Sequence, residues 1–373
     1  MKIAQIAPLA ERVPPLLYGG TERIVSYLTE ELVRQGHEVT LFASGDSLTS
    51  AALVAGCGTA LRLDGRGHDP IPHYMLHLEA VRCRAAEFDI LHFHVDLIHF
   101  PVVREFAHRT LTTLHGRLDL PDLPAVYDVF DDLPLVSISM AQRRPLPGVA
   151  WAGMIHHGLP AGLLPFQPTP AGGYLAFLGR ISPEKRPDRA IEIARRAGLP
   201  LRIAAKVDPA DQAYWDEVIE PLVRANPLVE YVGEIGEAEK AAFLGDALAL
   251  LFPIDWPEPF GLVMIEAMSC GTPTIAFGCG SVPEIIEDGV TGFVVGDMDA
   301  AVAAVARAAR LDRAQIRRSF ERRFTVVRMA ADYVDLYRSL EEGHAGGTFD
   351  GAIQAAAGRR PAGGGISLPL AGR

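Results

Sequence analysis

The sequence predicts an α/β protein built from two parallel-sheet domains in tandem, and three observations carry that expectation. The chain has 373 residues, too many for one ordinary hydrophobic core. Short apolar or alternating runs alternate with helical stretches in both halves, the pattern of repeated strand–helix–strand units. Between the halves, from Gly158 to Gly173, the composition shifts to Pro, Gly, Ala and Leu, as a linker does. The expected parts are a first domain at 1–160, a linker at 161–173, a second domain at 174–325, a last helix at 326–340 and a tail at 341–373.

Lys2 to Ala7 reads as the first strand, stopped by Pro8, and a loop through Pro14 and Pro15 leads to Tyr18-Gly19-Gly20-Thr21. Thr21 suits the N-cap of a helix whose Ile24, Leu28 and Leu32 share one face and which Gly36 closes before the strand Glu38 to Ala43. The paired glycines Gly19 and Gly20 let backbone approach a phosphate at that helix N-terminus, or simply make a tight turn. Residues 46–70 are Gly-rich and aperiodic, a loop with room for a short strand, and Pro72 to Glu87 reads as helix. Asp89 to Val95 and Thr110 to Leu114 are strands; His92 and His94 share a face of the first, and His115-Gly116 ends the second. Two histidines two apart can ligate a metal, but with no third ligand nearby they read as a packed, hydrogen-bonded pair. Leu135 to Ser139 and Val149 to Ile155 complete the N-terminal set, which closes at His157-Gly158.

The second half repeats the plan. Tyr174 to Gly179 is a strand, and the loop Arg180-Ile181-Ser182-Pro183-Glu184-Lys185 leads into a helix from Asp188 to Ala197. Arg180 and Lys185 lie in one loop before a helix, so both cations are able to converge on one anion. Further strands are Leu201 to Val207, Val229 to Gly233 and Leu248 to Pro253. The last is a continuous apolar run suited to burial on both faces, cut short by Pro257 and Pro259. A helix from Gly261 to Ser269 follows, closed by Gly271 and Pro273, and then a strand from Thr274 to Phe277. Ser281 and Glu284 have capping-box spacing, which makes Glu284 structural. Asp297 to Arg310, Arg313 to Glu321 and Val326 to Leu340 read as helices, the last amphipathic. His344 to Arg373 is rich in Gly, Ala and Arg without period, so most of it is expected to be mobile, and no function is assigned to it.

The chemistry concentrates at Asp255-Trp256-Pro257-Glu258-Pro259-Phe260-Gly261-Leu262, where Glu258 stands in the turn and Glu266 inside the helix that follows. Backbone N–H groups of Phe260, Gly261 and Leu262 lack helical partners at the positive end of that helix, where a diphosphate is welcome. An ionised carboxylate only accepts hydrogen bonds, so its partners are hydroxyls: the two ribose hydroxyls of a nucleotide sugar for Glu266, the transferred sugar for Glu258. The turn also sits at the carboxyl end of an apolar strand, where open α/β sheets bind ligands. Two glutamates around Phe-Gly-Leu, followed by Glu-Ala, Gly and Pro, resemble the signature of the retaining family 4 glycosyltransferases, the "glycosyl transferases group 1" type. Gly179-Arg180 with Lys185 five residues on is similar to the pair that holds the donor diphosphate in that family. The resemblance spans about residues 2 to 340 and is strongest from 174 to 295.

That resemblance implies a GT-B fold: two Rossmann-like domains facing across a cleft, with the C-terminal helix crossing back to the N-terminal domain. It implies Arg180, Lys185, Glu258 and His115 as catalytic residues, His115 by contact with the transferred sugar. Gly19, Gly20, Phe260, Gly261, Leu262 and Glu266 become donor-binding. No cofactor and no essential metal are expected; the partners are a nucleotide sugar, a UDP-sugar first and GDP-mannose second, and a sugar, lipid-linked or small-molecule acceptor. Two places depart from the family: His157 stands where members carry asparagine, and Lys206-Val207-Asp208 replaces a glycine-rich turn, so no base-reading residue is assigned. A nucleotide-sugar epimerase of the same architecture and a catalytically silent binding protein are the competing readings. A dehydrogenase is disfavoured because Gly278-Cys279-Gly280 lacks the third glycine of a dinucleotide fingerprint.

Composition bounds the rest. A net charge of −11 argues against nucleic acid as a partner. No apolar run is long enough to span a bilayer, which leaves only peripheral membrane contact open, and the N-terminus lacks a signal-peptide stretch. Cysteines 57, 83, 270 and 279 form no CxxC pair, as in a reduced cytoplasmic protein without disulfides or zinc.

Overall fold

The structure, a computed structural model, describes residues 1–17, 19–62, 67 and 69–345. From residue 346 on, the expected tail lies outside the described residues. Among the described residues, thirteen strands form two sheets. The N-terminal sheet holds β1 (Lys2–Ile6), β2 (Glu38–Ser44), β3 (Ala52–Cys57), β4 (Ile90–Phe93), β5 (Thr110–Thr113), β6 (Leu135–Ser137) and β7 (Trp151–Met154) in the order β3-β2-β1-β4-β5-β6-β7. The C-terminal sheet holds β8 (Leu175–Ile181), β9 (Leu201–Val207), β10 (Val229–Gly233), β11 (Ala249–Phe252), β12 (Thr274–Phe277) and β13 (Gly292–Val295) in the order β10-β9-β8-β11-β12-β13.

Every neighbouring pair is parallel. Parallel pairing needs crossovers, so helices cover both faces and the central strands β4, β5, β11 and β12 are buried at every residue, including the threonines of β5 and His92 of β4. In each sheet the strand order reverses around the first strand, β1 or β8. That reversal opens a crevice at the strands' carboxyl ends.

Several boundaries differ from expectation for identifiable reasons. The first helix, Gly20–Arg34, starts one residue before Thr21, with Gly19 as N-cap and no side-chain cap. The helix Pro70–Arg84 begins early because the Asp69 carboxylate caps it, accepting from the Ile71 N–H, with proline in its first turn. β13 was not foreseen: it is short and directly precedes the Asp297 cap of the next helix. The Ser281–Glu284 capping box does not form, and the helix there spans only Val282–Ile285. Instead, the Ser281 hydroxyl donates to the Phe260 carbonyl at 2.9 Å. The Glu284 carboxylate crosses to the N-terminal half, accepting the Met140 and Ala141 N–H groups at 2.8 and 2.7 Å. The final helix, Val326–Ala345, runs through residues 341–345, which had been assigned to the tail.

This final helix returns to the N-terminal sheet. Its Tyr337 hydroxyl lies 2.7 Å from His92 Nδ1 on β4, and its Tyr333 hydroxyl 2.9 Å from Thr113 on β5. One hydrophobic cluster therefore runs from Ile3 and Leu28 through Tyr333 and Tyr337 to Phe252, Phe260 and Met264. The packing that fixes the site helix is continuous with both halves. Among the described residues no helix is long and apolar enough to cross a membrane, and none of the four cysteines is in a disulfide.

Candidate active site

The carboxyl-end loops of the two sheets border one cavity of about 640 Å³. Every residue singled out from the sequence lines it: Arg180, Lys185, Glu258, His115, Gly19, Gly20, Phe260, Gly261, Leu262 and Glu266. The site helix is Leu262–Cys270, and its N-cap Gly261 has φ 80°. Glycine meets that left-handed conformation without strain, and no side chain caps the helix; the Met264 N–H turns back to the Gly261 carbonyl at 3.0 Å, and the Leu262 and Val263 N–H groups ahead of it are the ones an anion would meet.

The Glu258 turn is pinned from three sides. The Ser281 N–H donates to the Glu258 carbonyl at 2.9 Å, the Ser139 hydroxyl donates to the Pro259 carbonyl at 2.7 Å, and the Asp255 N–H donates to the Glu184 carbonyl at 2.8 Å. Gly280, with φ 58°, packs so closely on the turn that a Cβ there would overlap the Glu258 backbone. The Glu258 carboxylate, 8% exposed, takes the Lys185 ammonium and the Trp256 indole N–H on the same oxygen, Oε2. Its Oε1 takes neither of these donors. Lys185 Nζ also stands 4.8 Å from the Trp256 ring centroid, a cation–π contact.

Glu266 is 4% exposed and holds Lys240 at 2.6 Å through Oε1. Arg180 lies among Glu184, Asp208 and Asp211, with Glu184 bonded directly. Arg180 and Lys185 thus line one cavity, but each is neutralised by its own carboxylates. An incoming anion must compete for both. Across the cavity the first helix reaches the other half: Tyr27 donates to Glu237 at 2.8 Å and Arg23 pairs with the same carboxylate. A Cβ on Gly20 would lie 3.6 Å from Leu262 Cδ1, so the two halves touch at the glycine pair.

His92 and His94 pack against each other with ring centroids 4.1 Å apart, as their packed-pair reading anticipated, and the contacts run on to His115 and His157, which that reading did not include. His94 is buried, and burial first, with His92 second, holds it well below the usual imidazole range, so it is neutral. Its Nε2 lies 2.8 Å from Gln5 Oε1, which only accepts; Nε2 therefore carries the proton and Nδ1 a lone pair. His115 Nε2, 2.9 Å from that Nδ1, must be the donor. Burial pushes His115 down to about 3, so it too is neutral, and its Nδ1 is an acceptor to which no described residue donates. His157 stacks on His115 at 5.2 Å and meets the edge of Phe260 at 4.9 Å, which gives its place in the chain a packing role.

Glu22, in the first turn of the first helix, also lines the cavity, and burial pushes its carboxyl up to about 7. A carboxyl whose folded-state pKa is raised leaves stability intact below its ordinary value of 4.5 and erodes it as pH climbs toward 7. Between pH 5 and pH 8 the expected loss from this group is on the order of 3 kcal/mol. Urea unfolding at the two pH values should show Glu22→Gln flattening the profile by that amount; an unchanged slope would rule the assignment out.

Lys240, Trp256, Glu22, His157 and Gly280 are site residues that sequence reasoning missed. Lys240 carries no motif, since its partner Glu266 is 26 residues away along the chain. Trp256 stood inside the quoted motif, and its position next to the Pro-Glu-Pro turn was the available signal.

Two parallel-sheet halves opposed at their carboxyl ends and tied by a returning helix, over a cavity of paired cations and carboxylates, make the fold of the GT-B class. The chain belongs to the family 4, group 1 glycosyltransferases: residues 170–323 match the family described as Glycosyl transferases group 1, and 18–152 that described as Glycosyltransferase Family 4. It is similar to the D-inositol 3-phosphate glycosyltransferase of Mycolicibacterium gilvum, 27% identical over 336 residues that cover 74% of each chain. The enzyme of that name from Mycobacterium leprae is 35% identical over 136 residues, 33% of this chain and 29% of the relative's own length. Among solved structures, a glycosyltransferase involved in Avilamycin A biosynthesis has a TM-score of 0.71 at 24% identity, over 92% of this chain and 98% of its own. Sucrose-phosphate synthase from Thermosynechococcus elongatus has a TM-score of 0.75 at 20% identity, over 91% and 99%. Likenesses at these identities establish the fold.

Proposed function

We propose that this glycosyltransferase is a retaining, metal-independent hexosyltransferase that moves a hexose from a nucleotide sugar to a hydroxyl acceptor. A UDP-sugar is the first choice of donor and GDP-mannose the second. The observation that carries the reading is the meeting of Lys185, Glu258, Glu266 and the uncapped start of the site helix on one cavity. Glu266 takes the ribose hydroxyls through Oε2, and Glu258 a hydroxyl of the transferred sugar through Oε1. His115 Nδ1, an acceptor without a donor, takes another sugar hydroxyl. As the diphosphate leaves, negative charge grows on its β-phosphate; Arg180, Lys185 and the helix N-terminus answer it, so no divalent cation is called for. Retention follows if the acceptor attacks from the leaving group's own face and passes its proton to a β-phosphate oxygen. Support for uridine comes from Anabaena HepE, solved with UDP and with UDP-glucose and similar to this chain at 18% identity and a TM-score of 0.68 to 0.70. The Mycolicibacterium gilvum relative is named for D-inositol 3-phosphate, a phosphorylated polyol.

A thermal-shift screen of nucleotide sugars, followed by product analysis with chelator present, tests the proposal. One nucleotide sugar should stabilise the protein and be turned over, with the product anomer matching the donor. Donor interconversion without an acceptor would indicate an epimerase instead. Glu266→Ala should weaken donor binding by about 1.5 to 3 kcal/mol, the worth of hydrogen bonds to a charged group. Calorimetric titration with nucleoside diphosphate reads that loss, and unaltered affinity would remove Glu266 from the site.

A further inference from the structure

Behind His115 the site opens into a second, smaller space of about 210 Å³, lined by Thr21, Tyr74, His94, Asp96, His115 and Gly116 among others. The two spaces share Thr21, His115 and Gly116. A molecule seated in the smaller one therefore presents a group at the edge of the larger. The volume suits one ring or a short polyol.

The wall is polar yet carries no cation: neither Lys nor Arg lines this space among the described residues. Its two histidines are neutral, held down by burial. The start of the first helix borders the space through Thr21, but its first turn already carries the buried Glu22 carboxyl. Tyr74 Oη accepts the Leu9 N–H at 3.1 Å, which leaves its own proton to donate. Asp96 is held at φ 52°, a left-handed conformation that a non-glycine residue adopts at a cost in strain, and this exposed residue lines the space. The protein around that carboxyl raises its pKa by desolvation.

We infer that this space is the acceptor subsite and that it takes an uncharged polyhydroxylated acceptor, a sugar or polyol, in preference to a phosphorylated one. Asp96 and Tyr74 supply an acceptor and a donor for ring hydroxyls, as a site for neutral polyols requires. A phosphate entering it would lose its water beside a carboxyl with no cation to meet it. The inference rests on the donor reading above. In the reaction, the acceptor oxygen forms the new bond to the anomeric carbon, the bond from that carbon to the β-phosphate oxygen breaks, and the hydroxyl proton leaves on the diphosphate.

The test measures nucleoside diphosphate release from the nucleotide sugar with matched acceptors: myo-inositol against inositol 3-phosphate, glucose against glucose 6-phosphate, glycerol against glycerol 3-phosphate. A neutral member should be used, with kcat/KM at least about tenfold above that of its phosphate. Asp96→Asn and Asp96→Gly both tolerate left-handed backbone; each should lower kcat/KM for the neutral acceptor about tenfold and narrow the ratio. That ratio is internal to each protein, so partial unfolding cannot mimic the change. A preference for the phosphorylated member, a ratio unmoved in both variants, or donor hydrolysis with no neutral acceptor used overturns this inference alone. Failure of any nucleotide sugar to bind or turn over overturns the donor reading instead.

Discussion

Lys185→Ala is expected to lower kcat by about a hundredfold to a thousandfold, the usual consequence of removing one preorganised charge from a developing anion. On the proposed reading, Lys185 does two things in sequence. Before donor arrives, its ammonium neutralises Glu258, a carboxylate only 8% exposed. When the diphosphate enters, the ammonium is shared with it, and its pull grows as the leaving group takes on charge. Alanine removes both effects and leaves an unpaired carboxylate beside an anion, so binding should suffer along with turnover. The double variant Lys185→Ala with Glu258→Gln separates the two. If repulsion from an unpaired Glu258 is part of the cost, the double variant falls short of the summed losses by about 0.5 to 3 kcal/mol. Steady-state kinetics with the identified donor reads the comparison. Strict additivity would mean that the Lys185–Glu258 pair has no part in holding the donor, and an undiminished kcat would remove Lys185 from the reaction.

The site was legible in the sequence where its parts are local. Lys185, Glu258 and Glu266 belong to loops and a helix whose start and stop are written in prolines and glycines, and the apolar run of β11 fixed where that loop had to emerge. What stayed hidden depends on contacts made across the fold. Lys240 meets Glu266 only after the helix Glu237–Gly245 packs beside the site helix. Glu284 and Ser281 carry local capping spacing, yet tertiary partners, the 140–141 amides and the Phe260 carbonyl, took both side chains. A capping box contributes about a kilocalorie, so a partner able to satisfy two backbone N–H groups at an interface outweighs it. The β13 strand was missed for a related reason: Gly292-Phe293-Val294-Val295 starts on a glycine directly after a turn, and pairing with β12 decided it. The fold class was the most legible feature, because strand-like runs such as the apolar β11 alternate with helical stretches in both halves and the linker composition separates them.

Arg313→Ala is expected to destabilise the protein on the order of 4 kcal/mol, a loss reserved for a broken buried network. Nothing in the sequence marks this arginine out from its neighbours in a helix rich in them. In the structure it is 8% exposed, and its guanidinium has no carboxylate in its hydrogen-bond set. It donates to the Gln167 carbonyl at 2.8 Å, Gly245 at 2.7 Å, Ala247 at 3.1 Å, Cys270 at 3.4 Å and the Thr272 hydroxyl at 2.8 Å. These acceptors end the helix Glu237–Gly245 and the site helix, and include the linker, so one planar fork ties together the pieces that place Lys240 and Glu266. Burial pulls the Arg313 pKa down, because a guanidinium out of water costs free energy that the carbonyl bonds have to offset. Alanine would strand several helix-end carbonyls, each costing about 1 to 3 kcal/mol where water cannot follow. Lysine keeps the charge but not the fork and should recover only part. Arg318, on the same helix but paired with Asp312 at 3.4 Å near the surface, is the control: its loss should move stability by less than about 0.5 kcal/mol. Denaturant melts of the three variants beside the natural chain decide the matter. If Arg313→Ala melts with Arg318→Ala, the carbonyl network is not what holds the site helix in place.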